Sequence, residues 1–507
     1  MSPRIVATVA TARPAVDIRA VLHTVGRLCA WFSPTLLVPG AVAVWYGESI
    51  TPFLAALAIG LVIGIGMVRA TRGAAEIGIR EGFLVVALAW LIVAAIGSLP
   101  YIFEDGDIAR PVDAYFEAMS GFTTTGSSQM ADIESHGRGI LFWRALTQWL
   151  GGMGIIVLAL AILPRLSGGG RALMENEAPG PGFDKLSPRI RDTAKRLWVL
   201  YVWFTLAEIV LLCAVGYGGL SDGMDLYMAV THSFTTMATG GFSPDGRSLE
   251  QFGPWSQWIV IAFMAIAGVN FALWWRALFR SRRVLWRDEE LRLYLGILLA
   301  VSGLVAVEQY LGDTYGLHGS IRHALFQVVS MMTTTGFASV DFVSWPQLSL
   351  FLLVALMFVG GCAGSTSGSI KVVRVQIVAR ALRREVRATL HPEAVMPVRS
   401  SRQAVPEAAV RAALVFTLLY LVVFLAGVLV LLIDAAIGGP EVGVFEVLAA
   451  AACTIGNIGP GLGFAGPMGS FAPFGDVSTV TMTILMWTGR LELLPVLVLL
   501  SRWYWRR

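Results

Sequence analysis

Charge is scarce in this sequence. Only 14% of its 507 residues are Asp, Glu, Lys or Arg while 56% are hydrophobic, against roughly 25% charged in an ordinary soluble domain. Too little polar surface remains for a soluble globule. Cysteine is scarce too: Cys29, Cys213, Cys362 and Cys453 stand singly with no CxxC pair, which excludes a thiolate metal set and a disulfide framework. The six histidines form no HExxH or HxxxH pattern, so His232, His318 and His323 read as structural or surface residues. Gly-rich runs at Gly151 and Ser167 lack the strand and lysine of a phosphate cradle, so no nucleotide cofactor is expected in this chain. The spans carry no Ser/His pair or GxSxG with partners, which argues against an intramembrane enzyme.

What the chain has instead is apolar length. Stretches near the roughly 20 residues needed to cross a bilayer recur at Ile50 to Val68, Phe83 to Leu99, Leu197 to Val215, Ile259 to Leu278, Leu291 to Val307, Leu414 to Ile433 and Val477 to Leu500. About ten spans are expected in all, an all-α polytopic membrane protein. Lys and Arg mark the cytoplasmic side of such a chain. They crowd Arg165 to Arg196, Arg276 to Arg292 and Lys371 to Arg411, which read as topogenic, lipid-facing segments rather than nucleic-acid sites. Arg4, Arg13 and Arg19 come without a signal-peptide core, so the N-terminal arm is expected in the cytoplasm. The intervening loops hold Glu104, Asp105, Asp107, Asp132, Glu134, Asp222, Asp225, Asp313, Asp341 and Asp476, and are expected outside.

Those outer loops repeat one string. Thr123, Thr124, Thr125 and Gly126 are the first copy; Ala238, Thr239, Gly240, Gly241 and Phe242 the second; Thr333, Thr334, Thr335, Gly336 and Phe337 the third; Gly456, Asn457, Ile458 and Gly459 a weaker fourth. The closing glycines lie roughly 95 to 125 residues apart, the spacing of a repeated supersecondary unit. Six residues before each stands a small residue, Ser120, Thr235, Ser330 or Cys453, so the register is kept. Ahead of the strings, Val112 to Phe122, Asp225 to Met237, Ile321 to Met332 and Val444 to Thr454 are too short to span and read as re-entrant half-helices. Each unit is thus helix, half-helix, loop, helix. A leading pair, about Leu22 to Trp45 and Ile50 to Val68, precedes them. The divisions expected are 1–75 for the arm and leading pair, then units at 76–190, 191–285, 286–400 and 401–507.

Irregular backbone at membrane depth is tolerated only where it is buried in protein or lines a water-filled cavity. Four such loops around one axis satisfy that together. Glycine permits conformations that aim carbonyls inward, carbonyl oxygens suit a group I cation, and the negative C-terminal ends of the half-helices favour it. An alternating-access transporter also uses broken helices, but it predicts inverted repeats, whereas the charge pattern makes these units parallel.

Two further features stand out. Gly360, Gly361, Cys362, Ala363, Gly364, Ser365, Thr366, Ser367, Gly368 and Ser369 interrupt an apolar span before Lys371, so this span should break; the alternative is a small-residue packing seam. Arg490 lies inside the last apolar run, where an unpaired charge costs at least about 2.5 kcal/mol. It either faces a cavity or is held by a buried acid; Glu492, two residues on in the same helix, would point to a different face.

These motifs together resemble the TrkH/TrkG branch of the Trk/Ktr/HKT superfamily of potassium uptake proteins. The likeness is carried by TTTGS at Thr123, WLGGMGI at Trp149, HSFTTMATGGFS at His232, TTTGF at Thr333, GGCAGSTSGSIKVVR at Gly360, GNIGPGLG at Gly456 and GRLE at Gly489. The resemblance implies a pseudo-fourfold pore from one chain, a homodimer of such pores, and a cytosolic TrkA-type ring that binds NAD or ATP. It implies a potassium filter at Thr124, Thr125, Gly126, Thr239, Gly240, Gly241, Thr334, Thr335, Gly336, Asn457, Ile458 and Gly459. Serine at the first closing position goes with sodium permeability in this superfamily, so Gly126 favours potassium. It further implies a gate of Gly360, Gly361, Gly364, Ser365, Thr366, Ser367, Gly368, Lys371 and Arg490, the arginine projecting into the pore. Potassium uptake across the bacterial inner membrane is the function implied, with proton- or sodium-coupled symport as the alternative.

Overall fold

The computed structural model describes residues 16–74, 77–162, 190–394, 396–400 and 403–506. The N-terminal arm before residue 16 and the basic stretch from 165 to 189 lie outside the described residues. Among the described residues the regular secondary structure is helical save for one hairpin of two short strands, Arg399–Ser400 with Gln403–Ala404. Helices satisfy their own backbone hydrogen bonds, the condition for crossing hydrocarbon.

The leading pair is α1 (Ile18–Phe32), which runs on through a 3-10 turn into α2 (Leu37–Trp45), and α3 (Thr51–Ala70). Unit one is α4 (Ile79–Glu104), the half-helix α5 (Pro111–Phe122) and α6 (Arg138–Ile162). Unit two is α7 (Ile190–Tyr217), the half-helix α8 (Leu226–Met237), and a second helix in two pieces, α9 (Pro254–Ala267) and α10 (Phe271–Phe279). Unit three is α11 (Glu289–Leu311), the half-helix α12 (Leu317–Met332), α13 (Gln347–Leu356), an irregular segment to Lys371, and α14 (Val372–Leu390). Unit four is α15 (Glu407–Gly438), the half-helix α16 (Val444–Gly456), α17 (Asp476–Arg490) and α18 (Leu494–Leu500). The protein is therefore an all-α membrane protein of four helix, half-helix, loop, helix repeats with two helices added in front.

Among the described residues six helices are long and apolar enough to cross a membrane, and counting the bent pairs α9/α10 and α17/α18 as one span each makes eight. Of the ten spans expected, the other two positions are taken by α6, 25 residues long, and by α13, which stops after 10 residues at the irregular segment. Only the third unit was expected to break, yet Ile259 to Leu278 and Val477 to Leu500 are not continuous either. They bend by 100° and 113°. At the first bend Asn270 starts a new helix by accepting the Ala272 amide at 2.8 Å. At the second, Glu492 and Leu493 take positive φ and Pro495 follows, whose missing N–H cannot continue a helix. Hydropathy sees the apolar run and not the break. The half-helices match expectation except α12, which has 16 residues and begins four residues earlier.

The half-helices sit in the middle of the packing: from Phe116 to Phe122 every residue of α5 is buried, and α8, α12 and α16 are nearly as enclosed. Their hydroxyls turn inward on their own backbone, as Thr123 to Met119 O at 2.7 Å and Thr454 to Ala450 O at 2.8 Å. The second helices are capped from elsewhere. Glu48, just after α2, accepts the first amides of α6 at Arg138 (2.6 Å) and Gly139 (2.8 Å). Asp434 of α15 accepts from the Ser478 amide of α17 at 3.1 Å. The leading pair thereby fixes where unit one's second helix begins.

The turn before α6 is held by His136, whose side chain is 2% exposed between two carboxylates, Nδ1 at 2.8 Å from Glu104 and Nε2 at 2.7 Å from Asp107. Both ring nitrogens must donate, so the imidazolium is the form that fits. Burial pulls its pKa down, but the bonds to Glu104 and Asp107 outweigh burial and raise it above the ordinary value of about 6.5. A raised folded pKa gives stability that is complete below the ordinary histidine range and is lost as pH rises through the folded value. Thermal denaturation across pH should show that loss. His136→Ala should abolish the pH dependence and lower stability at acid pH by about 1–3 kcal/mol; an unchanged profile would assign the dependence elsewhere.

Candidate functional site

The four strings follow directly on the C-terminal ends of the half-helices and share one backbone conformation. Thr124, Thr239, Thr334 and Asn457 have φ of 53°, 53°, 58° and 54°, and two residues on Gly126, Gly241, Gly336 and Gly459 have φ of 85°, 78°, 84° and 108°. A left-handed β-branched threonine is a strained outlier; three of them at one register mark a constrained site. The strain is held by matched hydrogen bonds from the middle residue of each string back into the half-helix: Thr125 N to Ser120 O at 2.8 Å, Gly240 N to Thr235 O, Thr335 N to Ser330 O and Ile458 N to Cys453 O, each at 2.9 Å. The acceptors are the four register residues noted in the sequence. Ser120 and Ser330 also tie their hydroxyls to the outgoing limbs, at Ser127 O and Phe337 O, both 2.6 Å.

The loops close into a ring. A Cβ placed on Gly126 would lie 2.1 Å from Gly240 O, on Gly241 2.0 Å from Thr335 O, on Gly336 1.8 Å from Ile458 O, and on Gly459 2.9 Å from Thr125 O. Each closing glycine thus abuts the middle carbonyl of the next loop, in the order one, two, three, four and back to one. No side chain fits there. Ser127 Oγ to Gly459 O (2.8 Å) and Asn457 Nδ2 to Thr125 Oγ1 (2.9 Å) fasten loop four to loop one, so the divergent Asn457 keeps the shared backbone and adds a bond across the ring.

Ring residues Thr124, Thr125, Thr239, Thr334, Thr335, Asn457 and Ile458 are wholly buried. Among the described residues no protein donor reaches the carbonyl oxygens of Thr124, Thr125, Thr334 or Thr335. Thr124 Oγ1 and Asn457 Oδ1 are likewise buried without a donor. Buried carbonyls are almost always paired. Oxygens without donors, gathered at the negative ends of four half-helices, make a hard-ligand cage for a cation. Among the described residues no three His, Cys, Asp or Glu side chains converge to hold a metal ion.

A polar girdle behind the ring escaped the sequence reading. Nine residues before the closing glycine stand Glu117, His232 and Gln327, each reaching a serine on its own outgoing limb: Ser128 at 3.1 Å, Ser243 at 3.1 Å and Ser339 at 3.4 Å. His232 is buried and structural, as expected, with Nδ1 on Met228 O. Arg144 of α6 pairs with Glu117 at 2.8 Å, gives Nη1 to Ser243 O at 3.0 Å and lies 4.1 Å over the Phe242 ring, joining loop one to loop two. Gln148, one turn along, clamps loop two by donating to Gly240 O at 2.7 Å and accepting from Phe242 N at 3.0 Å. The available signal was a glutamate in a short apolar helix and an arginine in a span, the same signal that singled out Arg490.

The glycine and serine string of unit three does break its helix, and the irregular segment folds back beneath the ring. Its neck is closed by Gly360 N to Ile370 O (2.9 Å) and Val372 N to Gly361 O (3.1 Å). Gly368 N donates to Thr334 Oγ1 at 2.7 Å, a direct link to the ring. Cys362 N donates to Gly268 O (2.8 Å) and Gly364 O accepts from Phe271 N (3.1 Å), so the segment leans on the break between α9 and α10, while Thr366 Oγ1 reaches Met237 O at the end of α8 (3.2 Å). Ser365 caps back to Cys362 O at 2.6 Å, and Ser367 O accepts from Lys371 Nζ.

Arg490 is 4% exposed and is the last residue of α17. Among the described residues no acid bonds to it: Nη1 donates to Thr366 O at 2.8 Å and Nη2 to Gly151 O at 3.3 Å, joining the segment to α6. Glu492 lies past the helix end and pairs with Arg374 instead.

Four parallel units closing one ring of backbone loops, with a broken helix beneath, define a pore-loop membrane transport fold. The family described as TrkH, cation transport protein, matches residues 51–505. The Trk system potassium uptake protein TrkH of Escherichia coli K12 is 38% identical over 497 residues, 96% of this chain and 99% of that protein. TrkH of Halomonas elongata is 37% identical over 504 residues, 97% and 100% of the two chains. The crystal structure of the potassium transporter TrkH from Vibrio parahaemolyticus superposes with a TM-score of 0.85 at 33% identity, covering 97% of this chain and all of that one. The chain belongs to the TrkH family.

Because its partners are carbonyls, Arg490→Ala should cost about 1–3 kcal/mol and not the 3–5 kcal/mol of a stranded buried acid. Arg490→Lys should recover part of it. Chemical denaturation of the purified variants in detergent reads this; a loss above that range would mean a buried acid depends on Arg490.

Proposed function

We propose that this chain takes up potassium across the bacterial inner membrane through the axis of the four-loop ring, which acts as the selectivity filter. The carrying observation is the ring closed by four glycines, in which, among the described residues, the buried carbonyls of Thr124, Thr125, Thr334 and Thr335 have no protein donor. Thr124, Thr125, Gly126, Thr239, Gly240, Gly241, Thr334, Thr335, Gly336, Asn457, Ile458 and Gly459 are its residues, and the cation replaces its hydration shell with their oxygens. The basic clusters at Arg276 to Arg292 and Lys371 to Arg411, alternating with loops poor in Lys and Arg, support loops on the outside and a cytoplasmic N-terminus. Units divide at 75, 190, 285 and 400. The relatives' names, potassium uptake proteins and a potassium transporter, support the choice of ion.

Gly360, Gly361, Gly364, Ser365, Thr366, Ser367, Gly368 and Lys371 form the gate, tied to the ring through Thr334 and to Arg490 below. A fixed guanidinium about 4 Å from a passing cation is unfavourable by about 4 kcal/mol at an effective dielectric near 20, so Arg490 adds an electrostatic barrier. Opening is driven by a cytosolic TrkA-type nucleotide-binding ring, on a homodimer of such chains.

Rubidium and sodium flux through reconstituted protein, with and without an imposed pH gradient, tests the whole reading: potassium and rubidium should pass in preference to sodium, and dependence on the gradient would favour symport. Gly126→Ser puts a side chain against Gly240 O and should reduce potassium-over-sodium discrimination about tenfold, roughly 1.4 kcal/mol. A folded, transporting variant with the native ratio would remove Gly126 from the filter.

Deleting Gly364 to Gly368 removes the ties to Thr334, Phe271 and Arg490 together. It should raise rubidium flux in the absence of any cytosolic partner by about tenfold or more. Unchanged flux from normally inserted protein would make the string a packing seam.

A further inference from the structure

The gating segment leaves and re-enters the helical framework at one neck, and a single carboxylate from outside the segment touches both sides of it. Glu290 lies in the first turn of α11, whose start is fixed by Asp288 accepting the Leu291 amide at 2.9 Å. Its Oε1 accepts from Ala363 N at 2.7 Å and from Val373 N at 3.2 Å. Ala363 is on the outgoing limb and Val373 in the first turn of α14. One carboxylate oxygen has the two lone pairs that this requires. Bonds from amides to an ionised carboxylate are among the stronger ones a loop can have.

The contact differs in kind from the segment's other ties. Those to Thr334, Met237 and Arg490 hold its tip against units three, two and four, and that to Gly268 holds Cys362 beside the neck, whereas Glu290 joins the two sides of the base on which the tip pivots. Displacing the tip without opening the neck strains the short chain between Gly361 and Val372. We infer that Glu290 is a positioning residue that latches the gating segment shut, and that opening requires Ala363, Val373 or both to leave its carboxylate. This rests on the gating role proposed above.

Cys362, 1% exposed and adjacent to Ala363, reports the latch without reference to flux. Alkylation by N-ethylmaleimide, read by mass spectrometry of the peptide containing Cys362, measures how often the neck opens. Glu290→Ala should raise the alkylation rate about tenfold or more and raise rubidium flux without a cytosolic partner. Glu290→Gln keeps a carbonyl acceptor at the same reach and should stay within about threefold of the native rate, since it forgoes only the charge assistance. Glu290→Asp, too short to reach both amides, should fall between them and carries the test if the alanine variant does not fold. Unchanged alkylation in the alanine and aspartate variants, or glutamine as labile as alanine, overturns the latch. Faster alkylation with unchanged flux supports the latch and instead removes the gating role of the segment.

Discussion

Everything else in this fold depends on the contact between each closing glycine and the middle carbonyl of the next loop. At 1.8–2.9 Å from a would-be Cβ, these four contacts leave no space for a side chain and set how near the loops approach. The half-helices aim at the ring because their C-terminal residues are bonded to it, and the long helices enclose the half-helices because these are too short to satisfy their ends in lipid. The strain of left-handed threonines is tolerated because the surrounding bonds over-determine it.

Around that ring, charge is rationed to places where it holds backbone. Arg144 joins the outgoing limbs of loops one and two, Arg490 joins the irregular segment of unit three to α6, and Glu290 joins the two limbs of that segment. Of these three, Arg144 alone has an oppositely charged partner within hydrogen-bonding distance among the described residues. In a low-dielectric interior such groups persist only where their hydrogen bonds are met, so each one locates a part of the chain that lacks helical hydrogen bonding of its own. The irregular backbone and the buried charges are two sides of one arrangement.

The same economy distinguishes the units. Unit one keeps an unbroken second helix, and its Gly151 carbonyl receives Arg490; units two, three and four break theirs. The breaks in units two and three lie against each other, Gly268 O and Phe271 N bonding to Cys362 N and Gly364 O. The segment in unit three is thereby tied to the base of unit two, and through Thr334 to the ring itself.

The sequence by itself determined the membrane class, the four units, the register of Ser120, Thr235, Ser330 and Cys453, and the break at Gly360 to Ser369, because these depend on hydropathy, spacing and local propensity along the chain. It singled out Arg490 by the cost of a charge in an apolar run. What it did not reveal were the bends at Gly268–Asn270 and after Arg490, where apolar composition masks a local stop, and the partners of every buried charge. Glu117 and Arg144 are 27 residues apart, and Glu290 is 73 and 83 residues from the amides it holds. No periodicity links positions so separated. The order in which the loops meet, the carbonyls that Arg490 binds and the neck that Glu290 closes were decided by tertiary structure alone, since the first two are contacts between units and the third joins positions far apart within unit three, and their geometry exists only once the chain has folded.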